Sequence, residues 1–65
     1  MKITLRAARV NAKLTQSEVG EALKVSKRTV GLWESGDISP RMTNVLKMLK
    51  LYKTPIENII FEEEK

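Results

Sequence analysis

The stretch "VSKRTVGLWESG", residues 25 to 36, decides how this chain is read. Ser26 is a preferred helix N-cap, and Gly36 stands where a left-handed C-cap belongs. Between them Val30 and Trp33, three apart, define a face to be buried. Lys27 and Arg28 then fall in the first turn, the end where the helix dipole disfavours positive charge by about 0.3–1 kcal/mol. A strongly negative partner docking at that end would remove the conflict.

Just upstream, "TQSE" opens another helix. Thr15 and Glu18 have the spacing of a capping box, with Val19, Ala22 and Leu23 behind them as an apolar face and an end near Lys24. Two short helices joined by so few residues cross steeply, as in a helix-turn-helix. In that motif the first helix braces on the DNA backbone and the second enters the major groove by its N-terminal end. A bidentate arginine–guanine contact returns about 1–3 kcal/mol of discrimination, more than the dipole conflict costs.

The flanks read as further short helices. A first runs from about Lys2 to Ala12, with Met1, Leu5, Ala8 and Ala12 on one face and Leu14 following as a core residue. Downstream, Ser39 is expected as N-cap and Pro40 as the first residue of a fourth helix. Met42, Val45, Leu46, Leu49 and Tyr52 are its inward candidates, with Met48 nearby. Thr54, Pro55 and Glu57 repeat the device for a fifth helix carrying Ile56, Ile59, Ile60 and Phe61. No segment alternates with period two. The expected fold class is all-α, one domain over residues 1–65, with the helix-turn-helix at about 15–35 and an acidic tail at 62–65.

A chain of 65 residues lies near the lower edge of what one core stabilises, burying about 60% of its unfolded surface. It contains no cysteine and no histidine, which removes disulfides, the usual zinc sets and the commonest catalytic groups of neutral pH. There is no glycine-rich phosphate loop. The expectation is a non-enzyme with no cofactor, no metal and no small-molecule substrate. No run approaches the roughly 20 apolar residues of a membrane span, and the basic start "MKITLRAARV" lacks the apolar core of a signal peptide, so a cytoplasmic location is expected.

Charge is unevenly placed. Residues 1–53 hold eleven Lys/Arg against four Asp/Glu, a balance of +7, whereas residues 54–65 carry −3. A basic body suggests a polyanionic partner, nucleic acid first.

The segment "LTQSEVGEALKVSKRTVGLWESGDISP" resembles the helix-turn-helix of the Cro/phage-repressor, or XRE, family. Leu14–Thr15–Gln16 matches its opening, Val25–Ser26 the residues before the recognition helix, and Trp33–Glu34–Ser35–Gly36 its end. Leu5–Arg6–Ala7–Ala8–Arg9 and the Pro40 segment extend the likeness over nearly the whole chain. The resemblance implies a compact five-helix, lambda-repressor-like domain that binds a double-stranded DNA operator as a transcriptional regulator, a repressor of phage or mobile-element type. It implies a homodimer, at least on DNA, with Ile59–Ile60–Phe61 as candidate contact or as the floor of the core. Lys27, Arg28, Thr29 and Leu32 take positions that read bases. Gln16, Ser26, Ser35 and Arg41 take positions that contact the DNA backbone, and Gln16 also matches the glutamine that braces recognition-helix side chains. Arg9 and Glu34 match a structural ion pair.

Three departures from the pattern bear on this reading. Lys24 stands where the inter-helix turn usually has glycine, so a residue with a Cβ is expected at positive φ. Gly20 replaces the common alanine, letting the helices approach. Gly31 lies inside the recognition helix at a cost of roughly 1 kcal/mol. The alternative from a different class is a protein-interaction module, an antitoxin or anti-repressor partner on the same fold. Two retained cations at Lys27 and Arg28 argue for the DNA reader.

Overall fold

A computed structural model of the protein describes residues 2–61. Helix α1 spans Leu5–Asn11, α2 Gln16–Leu23, α3 Lys27–Ser35 and α4 Met42–Tyr52, followed by a single 3-10 turn at Ile56–Asn58. The described residues are therefore all-α in class, as expected, but with four α-helices and one 3-10 turn in place of five helices.

The expected helix starts at Thr15 and Ser26 are closed by local side-chain bonds. Thr15 Oγ1 accepts from Glu18 N at 3.1 Å while Glu18 Oε1 accepts from Thr15 N at 2.8 Å, the reciprocal capping box. Ser26 Oγ accepts from Thr29 N at 3.0 Å at the head of α3. Gly36, at φ 88°, ends α3 in the left-handed region. Lys24 is at φ 63° between α2 and α3, and Lys13 and Lys53 hold similar angles after α1 and α4.

Other boundaries differ. α1 begins at Leu5, capped by Thr4, because Ile3 is extended and forms a parallel bridge with Ile59. Ile3 N donates to Asn58 O and Ile60 N to Ile3 O, each at 2.8 Å. The N-cap of α4 is Arg41, with no side-chain cap, since residues 39–41 stay outside the helix while the chain crosses from α3 to α4. Thr54 caps no helix start. Its hydroxyl donates to Tyr52 O at 3.2 Å, and its N–H donates to Leu49 O at 3.1 Å, so it closes the C-terminal end of α4. Glu57 is exposed and makes no capping box.

The core comprises Leu5 and Ala8 of α1, Val19 and Leu23 of α2, Val30 and Trp33 of α3, Val45, Met48, Leu49 and Tyr52 of α4, and Ile59. Leu14, Ile3, Ala12 and Val25 pack against its edge. Within α4 the buried residues follow an i, i+3, i+4, i+7 stripe. Leu46 lies one step outside that stripe and Met42 in the overhanging first turn, so both are exposed, at 53% and 56%. Met48 is the buried methionine instead, at 1%. Ala22 is exposed, and Gly20 is buried in its place. Met1 and the acidic residues 62–64 lie outside the described residues.

α2 packs chiefly on α3. The reason is Gly20: a Cβ there would stand 2.6 Å from the Val25 carbonyl oxygen. Only a bare Cα lets the turn fold back so closely, and that approach sets the angle at which α3 leaves α2.

Candidate nucleic-acid interface

Lys27 and Arg28 are exposed in the first turn of α3, with no acidic residue in that turn to balance them. Arg28, Leu32 and Ser35 succeed one another at i, i+4 and i+7, which puts them on the stripe facing away from Val30 and Trp33. Leu32 is half-buried. Thr29 is half-buried too, and its hydroxyl is hydrogen-bonded to Ser26 Oγ at 3.0 Å at the helix start.

Behind this stripe stands a polar network that joins three helices. Arg9 Nε donates to Glu34 Oε2 at 2.7 Å and Arg9 Nη2 to Glu34 Oε1 at 3.2 Å. Arg9 Nη1 donates to the Leu14 carbonyl at 2.8 Å. The two side chains are only 10% and 4% exposed. Hydrogen bonding to Glu34 raises the Arg9 guanidinium above its already high pKa, so this cation stays charged at every accessible pH. The expected ion pair is thus present, and it is bidentate.

Gln16, the first residue of α2, donates from Nε2 to Glu34 Oε1 at 3.0 Å. Its amide lies beside Gly31, with Nε2, Oε1 and Cδ 3.6–3.9 Å from where a Cβ on Gly31 would be. The family resemblance implies that Gln16 braces recognition-helix side chains, but not that its partner is Glu34, because a contact between different helices leaves no spacing signal.

Tyr52 is 5% exposed, and its hydroxyl has no hydrogen-bond partner among the described residues. Burial first, then the nearby Glu34 charge, push its pKa up to about 12, with Arg9 acting in the opposite direction.

The remaining expected contacts sit further round the surface. The Ser35 hydroxyl donates to Leu32 O at 3.1 Å and to Asp37 Oδ2 at 3.0 Å, so a carboxylate already shares it. Arg41 is exposed at the start of α4. Beside it an apolar groove of about 170 Å³ runs between Leu5, Trp33, Pro40 and Met42. Ile38, Ile60 and Phe61 line its rim, each 42–49% exposed. Ile59 itself is buried at 5% and serves the core. Among the described residues there is no cluster of acidic, histidine or cysteine side chains able to hold a metal ion. No described helix is long and apolar enough to cross a membrane.

Two short helices joined by three residues, with exposed cations at the head of the second, define a helix-turn-helix domain. The helix-turn-helix family profile matches residues 5–59, and the chain belongs to that family, in its Cro/phage-repressor (XRE) branch. It is 35% identical over 60 residues to the cryptic phage CTXphi transcriptional repressor RstR of Vibrio cholerae, covering 92% of this chain and 54% of the relative. It shares the same identity with the transcriptional regulator DicA of Escherichia coli (strain K12), over 92% of this chain and 44% of that one. With the HTH-type transcriptional regulator YgzD of Bacillus subtilis (strain 168) it is 30% identical over 64 residues, 98% of this chain and 97% of the relative. The chain spans about half the length of RstR and DicA. No solved structure matches it significantly.

Proposed function

We propose that this protein is a sequence-specific regulator of transcription that binds double-stranded DNA, acting as a repressor of phage or mobile-element type. The observation that carries the reading is the pair Lys27–Arg28, exposed at the head of α3 in a helix-turn-helix whose relatives are named as repressors and regulators. α3 enters the major groove by its N-terminal end, where Lys27, Arg28, Thr29 and Leu32 meet base edges. Gln16, Ser26 and Arg41 hold the backbone. Ser35 joins them once phosphate displaces its bond to Asp37. The protein works without a cofactor and catalyses no reaction.

The apolar rim formed by Ile38, Met42, Ile60 and Phe61 supports pairing of two copies on a two-fold operator. Four half-exposed apolar side chains make a small patch, so pairing is expected chiefly on DNA.

Selection from a randomised duplex library, followed by titration of the winner at several salt concentrations, tests both parts. The expected result is a two-fold motif, a steep salt dependence, and relaxation of one base position by Arg28→Ala. Failure to enrich any motif would refute the DNA reading and point to a protein partner. Sedimentation of a strict monomer on a single half-site would refute the pairing.

A further inference from the structure

Glu34 accepts hydrogen bonds from two directions at a single oxygen. Oε1 receives Arg9 Nη2 at 3.2 Å and Gln16 Nε2 at 3.0 Å. We propose that Glu34 is a positioning residue for DNA binding, holding the Gln16 amide ready to donate an N–H to phosphate before DNA arrives. The inference rests on the DNA-binding reading above and deepens it, since the Arg9–Glu34 pair by itself calls only for a structural role.

A carboxylate paired with arginine has no proton to give, so the amide of Gln16 must turn its NH₂ and not its carbonyl toward Glu34. One of the two N–H groups is then used and the second is left to donate. Gly31 leaves the space beside the amide open: even a Cβ there would stand 3.6–3.9 Å from it, so nothing pushes Gln16 off Glu34. Arg9 makes the arrangement compatible with a polyanion. Its guanidinium covers both carboxylate oxygens, so an approaching phosphate meets an amide donor backed by a neutralised pair and not a bare negative charge.

An unrestrained glutamine loses its side-chain freedom when it binds. Here that ordering takes place during folding, which is worth about tenfold in affinity.

Binding of the selected duplex is measured for the intact protein, Gln16→Met, Glu34→Gln and the double variant, with melting curves confirming that each is folded. A glutamine at position 34 has one acceptor oxygen and no charge. Its NH₂ either faces Gln16, which loses its acceptor, or opposes Arg9 Nε, which disturbs the pair that fixes the acceptor. The hold on Gln16 is weakened in both orientations. Loss of one neutral phosphate contact weakens binding about tenfold while leaving the salt slope unchanged. The expected result is that Gln16→Met costs about tenfold in the parent protein and under twofold in the Glu34→Gln background. An equal loss in both backgrounds would overturn the inference alone. Absence of any salt-dependent binding by the parent would overturn the DNA reading and the inference with it.

If Glu34→Gln fails to fold, relaxation of the Gln16 side-chain amide in the free parent protein decides the matter. Gln16 is the chain's only glutamine, so its signal is unambiguous. An order parameter near the rigid-backbone value of about 0.85 supports the inference, and one below about 0.6 overturns it.

Discussion

The Arg9 guanidinium and the Glu34 carboxylate face each other with two nitrogens on two oxygens, at 2.7 and 3.2 Å, and tie the first helix to the end of the third. Breaking such a pair leaves its partner charged and unpaired in a site only 4–10% exposed. Arg9→Met is expected to destabilise the domain by about 3–5 kcal/mol, a large part of the stability of so small a fold. The double variant Arg9→Met/Glu34→Met restores much of that loss, since neither charge is then stranded. Urea unfolding of the two single variants and the double measures the coupling; additive losses would show that the pair is not a unit.

Gly20→Ala places a Cβ 2.6 Å from the Val25 carbonyl oxygen, against backbone that cannot turn aside. The expected cost is about 1–3 kcal/mol, the range for forcing atoms into a filled space. Because the displaced turn carries the head of α3, weaker DNA binding accompanies the fall in melting temperature. An unchanged melting temperature would mean that the close approach is not required.

At Gly31 the same substitution has the opposite sign. An added Cβ meets only the Gln16 amide, at 3.6–3.9 Å, which is ordinary contact. Gly31→Ala therefore gains helix propensity without a clash, up to about 1 kcal/mol. Thermal unfolding of the two glycine variants side by side separates backbone geometry from propensity, and a lower melting temperature for Gly31→Ala would refute the assignment.

Tyr52 gives the fold an alkaline limit. Its pKa is raised from 10.0 in the unfolded chain to about 12 in the folded one. The unfolded state therefore ionises first. Stability contributed by the neutral phenol is complete below pH 10 and is lost as the pH climbs through 12. Tyr52 is the only tyrosine, so its ultraviolet ionisation follows that limb directly. Tyr52→Phe removes a hydroxyl that has no partner among the described residues, and is expected to leave stability at pH 7 within about 1 kcal/mol while moving the alkaline transition upward. A midpoint at the ordinary tyrosine value would contradict the buried, unpartnered hydroxyl.

How far the chain can be read without coordinates depends on the range of the bond concerned. The box between Thr15 and Glu18, the Ser26 cap and the Gly36 terminus are bonds or dihedrals within a few residues, so residue type and spacing specify them. Ser39–Pro40 and Thr54–Pro55 carry the same local signs, yet neither starts a helix. Thr54 is drawn to the open end of α4, and the chain around Ser39 is occupied in crossing between helices; both outcomes are set by the tertiary path. Leu46 was expected inward because it is apolar, and it lies outside because the stripe of Val45, Met48, Leu49 and Tyr52 fixes the roll of the helix. The exposed cations of α3 were legible as a charge conflict on a helix end. The seat of Gln16 between Glu34 and Gly31 joins residues from two helices, and no single-helix period reveals it.

The bridge between Ile3 and Ile59 joins positions near opposite ends of the described chain through two backbone bonds. Closing so long a loop is entropically slow, whereas α2 and α3 meet across a few residues of turn. The helix-turn-helix is therefore expected to assemble before the bridge, and the bridge to open first in the native protein. Amide exchange should register this as a gradient: the Ile3 and Ile60 protons leave through a low-energy local opening, while Val19 and Val30 wait for global unfolding. Such a gradient would let the outer seam loosen without disturbing the helix pair within.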